Sequence, residues 1–261
     1  MSKRVEIIAI GREILRGQTL DTNSHWLARR VTALGAQVGR ISVPDDEVGA
    51  IAREIRRALE DGAEVVITTG GMGPTFDDKT LEGVAQAFGL TLELNPWALE
   101  FVRKRYREFY EQGFVDSPDL TPEREKMARL PRGAVPLSNP VGAAPGVMLQ
   151  VQGATVFCLP GVPREMRPQF EEEVLPRLRD ILGAGVYLEE EVETGLKDES
   201  VLAQVVERVM KAVPGVYLKS KPTRFGRDVR LKVVLSAAGT REAEVKERMS
   251  RAKALLLKTI S

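Results

Sequence analysis

The stretch from Val65 to Thr80 constrains this chain more than any other. Val65-Val66-Ile67 is an apolar β-branched run of the kind found in fully buried strands. Thr68-Thr69-Gly70-Gly71-Met72-Gly73-Pro74-Thr75 then breaks regular structure with glycines and a proline. Beyond Thr80 apolar residues recur at helical spacing, Leu81, Val84, Ala85 and Phe88, until Gly89 stops them. Strand, glycine loop and helix start form a geometry in which backbone N–H groups approach an anion closely. Gly70, Gly71, Gly73 and Thr75 are therefore candidate phosphate contacts. Asp77-Asp78 close the same loop. Carboxylates beside a phosphate repel it unless a hard cation such as Mg²⁺ lies between them. The plainer alternative is a Gly-Gly turn followed by an Asp/Thr helix cap.

The same alternation of strand and helix runs through the first part of the chain. Val5 to Ile10 reads as a strand ending at Gly11, and Leu27, Val31 and Leu34 mark a helix closed by Gly35. Val38 to Val43 is the next strand. Pro44-Asp45-Asp46 opens a helix with Val48, Ile51, Ile55 and Leu59 on one face, ending near Gly62. Such a pattern predicts an α/β fold, a mostly parallel sheet with helices on both faces, and ligands at the carboxyl ends of its strands. From Pro96 to Arg129 aromatic residues crowd a charged helix, with a second short helix after Thr121-Pro122; the pair is either a lid or core packing. Gln152-Gly153 joins two strands as a hairpin, and a helix runs from about Pro163 to Leu182. Gly183-Ala184-Gly185 divides a first domain, 1–183, from a second, 186–261. The second reads as strand Val186–Val192, a helix holding Val201, Leu202, Val205 and Val209, strands Val216–Leu218 and Val229–Leu235, and a helix from Glu242 to about Ile260. That order, β-α-β-β-α, describes a small α+β domain.

Composition removes several classes of function. With 38 Lys+Arg against 37 Asp+Glu the formal net charge is +1, so bulk charge points neither to nucleic acid nor to a membrane surface. One cysteine, Cys158, excludes an intrachain disulfide, and with one histidine, His25, it excludes a structural zinc site. Any metal must be held by oxygen. No signal-peptide or membrane-spanning run is present, and a cytoplasmic location is expected. Cys158 lies in an apolar strand and reads as core; His25 reads as helix surface rather than base. A G-x-S-x-G elbow, an H-E-x-x-H pair, a Walker A lysine and the third glycine of a dinucleotide fingerprint are all missing.

Other strand-end loops gather on the glycine-loop edge of a parallel sheet. Gly11–Gly17 with Asp21-Thr22-Asn23 follows the first strand. Asp21 or Asn23 caps the next helix or touches ligand, and Arg12 and Arg16 meet phosphate or solvent. Val43-Pro44-Asp45-Asp46 repeats the theme, one aspartate reading as a cap and the other as free. With Asp77-Asp78 it brings carboxylates from two strand ends to one crevice, which suits a divalent cation. Asn139–Gly146 and Leu159–Met166 complete the set. The second joins a strand to a helix start, so its N–H groups offer another phosphate wall. Gly142, Pro160 and Gly161 join Asn23 as candidate contacts.

These five ordered motifs resemble those of the CinA (competence/damage-inducible) family, whose first domain is similar to the MoaB/MogA molybdopterin-binding fold. The resemblance spans roughly residues 3–182, and the tail, including Gly195 to Ser200, resembles the KH-type domain that follows in such proteins. It does not extend to a C-terminal amidase domain, so deamidation is not expected. The tail lacks a G-x-x-G loop, so neither is RNA binding. The resemblance implies a nucleotide site acting on dinucleotide pyrophosphates such as ADP-ribose or FAD. Asp45 and Asp78, which match retained aspartates of MoaB/MogA-type relatives, would serve as catalytic residues and metal ligands. The expected cofactor is a divalent metal, Mg²⁺ or Mn²⁺/Co²⁺/Ni²⁺. The expected partners are a nucleotide or pterin small molecule and further copies of the chain, with no membrane and no nucleic acid. Two alternatives stand beside this one: a molybdopterin-binding or adenylylating protein of molybdenum-cofactor synthesis, and a non-catalytic nucleotide-binding scaffold.

Overall fold

A computed structural model describes residues 3–183, 185–222 and 231–260. They form two compact units, one built from residues 3–31 and 37–181, the other from 32–36 and 182–260.

In the first unit the apolar runs become a six-stranded sheet of order β2-β1-β3-β8-β7-β6. Strands β1 (Arg4–Ala9), β2 (Gln37–Ser42), β3 (Val65–Thr69) and β8 (Ala154–Leu159) are parallel neighbours. β7 (Gly146–Val151) runs back along β8, with Gln152 and Gly153 both at positive φ in the tight turn that joins them. β6 (Val135–Leu137) adds a second antiparallel strand to that edge. The sheet is therefore parallel in its four-strand half and antiparallel beyond it. Val66, Val156 and Cys158 pack in one core with Ile51 and Ile55, while Ile67 and Phe157, of opposite parity, are equally buried. Burial of both parities means both faces are covered, as a buried parallel sheet requires.

The connecting helices are α1 (Arg12–Leu15), α2 (Thr22–Ala33), α3 (Val48–Glu60) and α4 (Thr80–Phe88), followed by strand β4 (Leu92–Leu94). Gly89 closes α4 in the left-handed conformation, as its place after the last apolar residue predicts. α5 (Pro96–Glu111) is capped by Asn95, and α6 (Pro122–Lys126) by Thr121. Ala98 and Val102 sink α5 into the core.

Three expectations change. The helix after β2 does not open at Pro44: its N-cap is Glu47, and neither aspartate caps it. The helix from Pro163 is not uniform. It runs as α7 (Pro163–Gln169), a π-turn over Phe170–Val174, and α8 (Leu175–Leu182). Pro168 lies within α7 and donates no N–H, which favours a widened turn next to it. Finally, β4 pairs with β5 (Arg129–Pro131), and these two strands, like β6, are only three residues long and give no periodicity to read.

The second unit has the expected order of elements: β9 (Val186–Glu193), α9 (Glu199–Ala212), β10 (Val216–Pro222), β11 (Leu231–Gly239) and α10 (Glu242–Ile260). Its sheet, order β10-β11-β9, is antiparallel throughout. Leu202, Val209, Leu218, Val233, Leu235, Val245 and Leu256 fill its core. Met1, Ser2, Ala184 of the inter-domain Gly-Ala-Gly, Val229 and Arg230 at the start of the expected strand, and Ser261 lie outside the described residues.

Candidate functional site

The ends of β1, β3 and β8 are bound into one edge. The amide of Ile10 donates to the Thr69 carbonyl (2.8 Å) and that of Gly70 to the Leu159 carbonyl (3.0 Å). Gly70 sits at φ 104°, and a Cβ there would run into the carbonyl oxygen of Ile10. Only glycine allows both the backbone angle and the contact. The loop then folds back on α4, whose first residue, Thr80, donates its hydroxyl to the Gly70 carbonyl (2.7 Å) and its amide to the Gly71 carbonyl (3.1 Å).

Beyond Gly73 the loop closes on itself. Asp78 Oδ2 accepts from the amide (2.8 Å) and hydroxyl (2.7 Å) of Thr75, and that hydroxyl also contacts Asp77. The Thr75 bond is the main cause that holds the Asp77 carboxyl below its ordinary value. Neither aspartate caps α4, whose N-cap is Lys79. Among the described residues the amides of Gly71, Met72, Gly73 and Gly161 have no hydrogen-bond partner. All four residues line one cavity of about 740 Å³.

The loop after β1 supplies a bracket for this edge. Asp21 caps α2 through the Ser24 amide (2.9 Å). Asn23 is buried, and its Nδ2 donates to Thr69 Oγ1 (3.0 Å) and to the Gly161 carbonyl (2.7 Å), while Thr69 donates on to the Pro160 carbonyl (3.0 Å). Asn23 thus holds the Pro160-Gly161 loop in place, and its Oδ1 has no partner. It lines the cavity as a positioning residue.

Asp45 is not brought into the cavity. Its carboxylate accepts from Arg12 Nε (2.7 Å) and from the amide of Asp46 (2.8 Å). The Arg12 hydrogen bond is the main cause that lowers its pKa, and the same bond raises that of Arg12. Asp46 lines the cavity instead, and its Oδ2 accepts from the amide of Arg12 (2.7 Å). Asp46 and Asp78 both line the cavity, whereas Asp45, expected beside Asp78, does not. Arg12 serves Asp45 rather than a phosphate, and neither Arg12 nor Arg16 lines the cavity.

The far wall is built around Asn139. Its Oδ1 accepts from the amides of Val141 (3.0 Å) and Gly142 (2.8 Å), and its Nδ2 donates to the Ala144 carbonyl (2.9 Å) and to Glu165 Oε2 (3.1 Å). The Asn139–Gly146 motif is thus explained by one buried amide that shapes a loop and holds a carboxylate against it. A Cβ at Gly142 would meet the tip of the Glu165 side chain, which would have to shift. The amide of Gly142 is already used by Asn139, so the residue contributes wall rather than a free donor. Pro160 and Gly161 line the cavity, as do Gly70, Gly71, Gly73 and Thr75.

The charge around the cavity is one-sided. Glu13, Asp21, Asp46, Asp77, Asp78 and Glu165 line it, and no Lys, Arg or His does among the described residues. Nearby cations are anchored on backbone carbonyls of the wall: Lys126 Nζ donates to Thr75, and Arg105 to Val141 and Gly142. Among the described residues no three His, Cys, Asp or Glu side chains cluster to hold a metal by themselves. That donor set fits an Mg²⁺-type ion, which takes one or two carboxylates and fills its shell with water and substrate phosphate. Cys158 is core, its thiol pushed up to about 12 by burial, and His25 is exposed on α2 away from the cavity.

Sequence reasoning does not single out Glu165 or separate Asp46 from Asp45, and it leaves Tyr106 and Phe109 between lid and core; all four line the cavity. Glu165 sits in the quoted Leu159–Met166 motif three residues into the helix start and was open to the same argument as Asp78. Tyr106 and Phe109 carry the helical spacing of a core face, which does not separate a core from a cavity wall.

An α/β unit whose parallel strand ends gather glycine amides and unpaired carboxylates around one cavity belongs to the small-molecule-binding proteins of the open-sheet type. The family follows from sequence: residues 6–180 match the family described as probable molybdopterin binding domain, and the chain belongs to it. It is similar to a protein of Aeropyrum pernix, 45% identical over 92% of this chain and 88% of the relative. A protein of Caldivirga maquilingensis is 43% identical over 95% of this chain and 93% of its own length. Among solved structures, CinA from Thermoplasma acidophilum, a protein of unknown function, is 38% identical with a TM-score of 0.61. It covers 69% of this chain and 99% of its own. No described helix is long and apolar enough to cross a membrane.

Proposed function

We propose that the cavity hydrolyses the P–O–P linkage of a dinucleotide-type substrate such as ADP-ribose or FAD, with a divalent metal ion. The observation that carries this reading is the combination of unpartnered glycine-loop amides with six carboxylates in a cavity that no cationic side chain lines among the described residues. Amides suit phosphate oxygens; carboxylates suit a cation arriving with the substrate. Asp78, with Asp46 in the place expected of Asp45, would hold the metal. Bound there, Mg²⁺, Mn²⁺, Co²⁺ or Ni²⁺ supplies neutralisation of phosphate charge and a more acidic water. The chain's own part is to bind one phosphate on Gly71, Met72, Gly73 and Gly161 and to orient it. A water oxygen adds to one phosphorus, the bridging oxygen leaves with the other, and a cavity carboxylate takes the water's proton.

The family match favours a second reading, a pterin-binding or adenylyl-transferring protein of molybdenum-cofactor synthesis. A nucleotide-binding scaffold without turnover is the third. We also propose that the second unit, on its order β-α-β-β-α, is KH-type and serves assembly of a homo-oligomer or substrate access, and that the protein is cytoplasmic. The test is incubation of pure protein with ADP-ribose, FAD and NAD plus each metal, followed by product identification. Metal-dependent release of AMP is expected. Molybdopterin binding without turnover would favour the second reading, and nucleotide binding with no product the third.

A further inference from the structure

One wall of the cavity is neither charged nor backbone. Tyr106 and Phe109 line it from α5, and they follow the buried Ala98 and Val102 along the same helix. Val102, Tyr106 and Phe109 stand at i, i+4 and i+7, so one helix face passes from core to cavity. The two rings meet edge-on, with centroids 6.0 Å apart and planes at 76°.

Each ring has a guanidinium over it. Arg124 lies 3.9 Å from the Tyr106 centroid, and Arg105 lies 4.9 Å from that of Phe109. Neither arginine is free to leave. Arg124 donates to the carbonyls of Ser117 (2.7 Å) and Asp119 (2.6 Å), and Arg105 to the Gly142 carbonyl (3.0 Å) and to Glu108 (2.7 Å). Burial is the main cause that raises the Tyr106 pKa, so the ring stays neutral near pH 7. Neither arginine lines the cavity; the aromatic surfaces do.

We propose that Tyr106 and Phe109 form the subsite for a planar heteroaromatic ring of the ligand, the common chemistry of purine, flavin and pterin. The proposal deepens the nucleotide reading of the cavity and rests on it. A cavity rich in carboxylates repels a second anionic group, whereas a flat neutral ring gains stacking on a rigid aromatic wall. Anchored guanidinium groups over the rings fix them before the ligand arrives, so little side-chain entropy is lost on binding.

The test is equilibrium binding of AMP, FMN and ribose 5-phosphate, measured calorimetrically with Mg²⁺ present. AMP and FMN compare a purine with a flavin, and ribose 5-phosphate keeps sugar and phosphate without a ring. The wild type should bind AMP or FMN at least about tenfold more tightly than ribose 5-phosphate. Tyr106→Leu with Phe109→Leu should erase that preference and leave ribose 5-phosphate binding within about twofold, whereas Tyr106→Phe should keep the preference. Should the double variant not fold, Phe109→Leu alone still has to lower the preference. Equal affinities in the wild type, no AMP or FMN binding, or a preference that survives in the folded variants would overturn the proposal. Turnover is not part of this readout. Ring preference without hydrolysis removes the pyrophosphatase reading alone; hydrolysis without ring preference removes only the aromatic subsite.

Discussion

The ion-paired carboxylates of the second unit contrast with those that line the cavity of the first. In the second unit Lys221 lies 3.1 Å from Glu191, Lys232 lies 3.5 Å from Glu193, and Lys253 pairs with Glu190. Two of these pairs join strands of an antiparallel sheet, and the third ties α10 to β9. In the first unit six carboxylates line a cavity that no cationic side chain enters among the described residues. The neighbouring cations are anchored on carbonyls instead. Strand direction underlies the difference. Parallel strands bring all their carboxyl ends, and the loops beyond them, to one edge; antiparallel strands send alternate loops to opposite ends. Cavity carboxylates collect where several loops meet at one edge.

The largest effects should come from the parts that fix each unit. Leu235→Ala removes a fully buried side chain from the second core and should cost about 2–5 kcal/mol in chemical denaturation. Ligand binding by the first unit should persist below the transition, and its loss from folded protein would break the separation of the two units. Gly70→Ala meets both a left-handed backbone and the Ile10 carbonyl, and about 2–5 kcal/mol is expected. Gly195→Ala, at φ 69° with nothing within 4 Å of the added carbon, should cost only about 1–2 kcal/mol. Equal losses in the two glycine variants would mean that crowding at the strand ends contributes nothing.

Asn23→Ala comes next. It removes both hydrogen bonds that tie α2 to β3 and to the Pro160-Gly161 loop, and should cost about 1–3 kcal/mol. Hydrogen exchange at the bonded amides of Gly70 and Glu165 should quicken more than exchange in β9, and uniform change would contradict a local bracket.

The smallest effect concerns acid. Asp45 and Asp77 have folded pKa values lowered from 3.8, by Arg12 and Thr75 respectively, and Glu191 is lowered from 4.5 by Lys221. A lowered carboxyl contributes stability in full above its unfolded value and loses it as pH falls through the folded one. All three are exposed, so solvent screening keeps each contribution small. Melting temperature followed below about pH 4 should fall less steeply for Asp45→Asn than for wild type. A steeper fall would mean that Arg12 does not stabilise the ionised form.

Much of this was legible because some requirements are local. Gly70 needs its conformation whatever surrounds it, Gly89 ends a helix by rule, and the run Val65-Val66-Ile67 announces a strand buried on both faces. Asp45 and Asp46 were not separable, since their roles depend on Arg12, more than thirty positions away. Asn23 read as a candidate contact because its partners, Thr69 and Gly161, come from two other strand ends. β4, β5 and β6 are too short for any period to show, and the π-turn after Gln169 depends on packing that no residue pattern displays. Tyr106 and Phe109 carry the spacing of a core face, and only the cavity in front of them says otherwise.

The central proposal is that Asp78, besides closing the loop on Thr75, is a working carboxylate of a metal-dependent hydrolytic site, whereas Asp77 is not. Asp78→Asn keeps the shape and removes the charge. The decisive measurement is kcat/KM for AMP release from ADP-ribose by wild type, Asp77→Asn and Asp78→Asn across a metal titration, with melting temperatures as the folding control. Loss of a charged interaction of about 1.5–3 kcal/mol predicts a roughly 10- to 150-fold fall for Asp78→Asn, with Asp77→Asn close to wild type. An Asp78→Asn protein that stays within about threefold of wild type at every metal concentration would contradict the account.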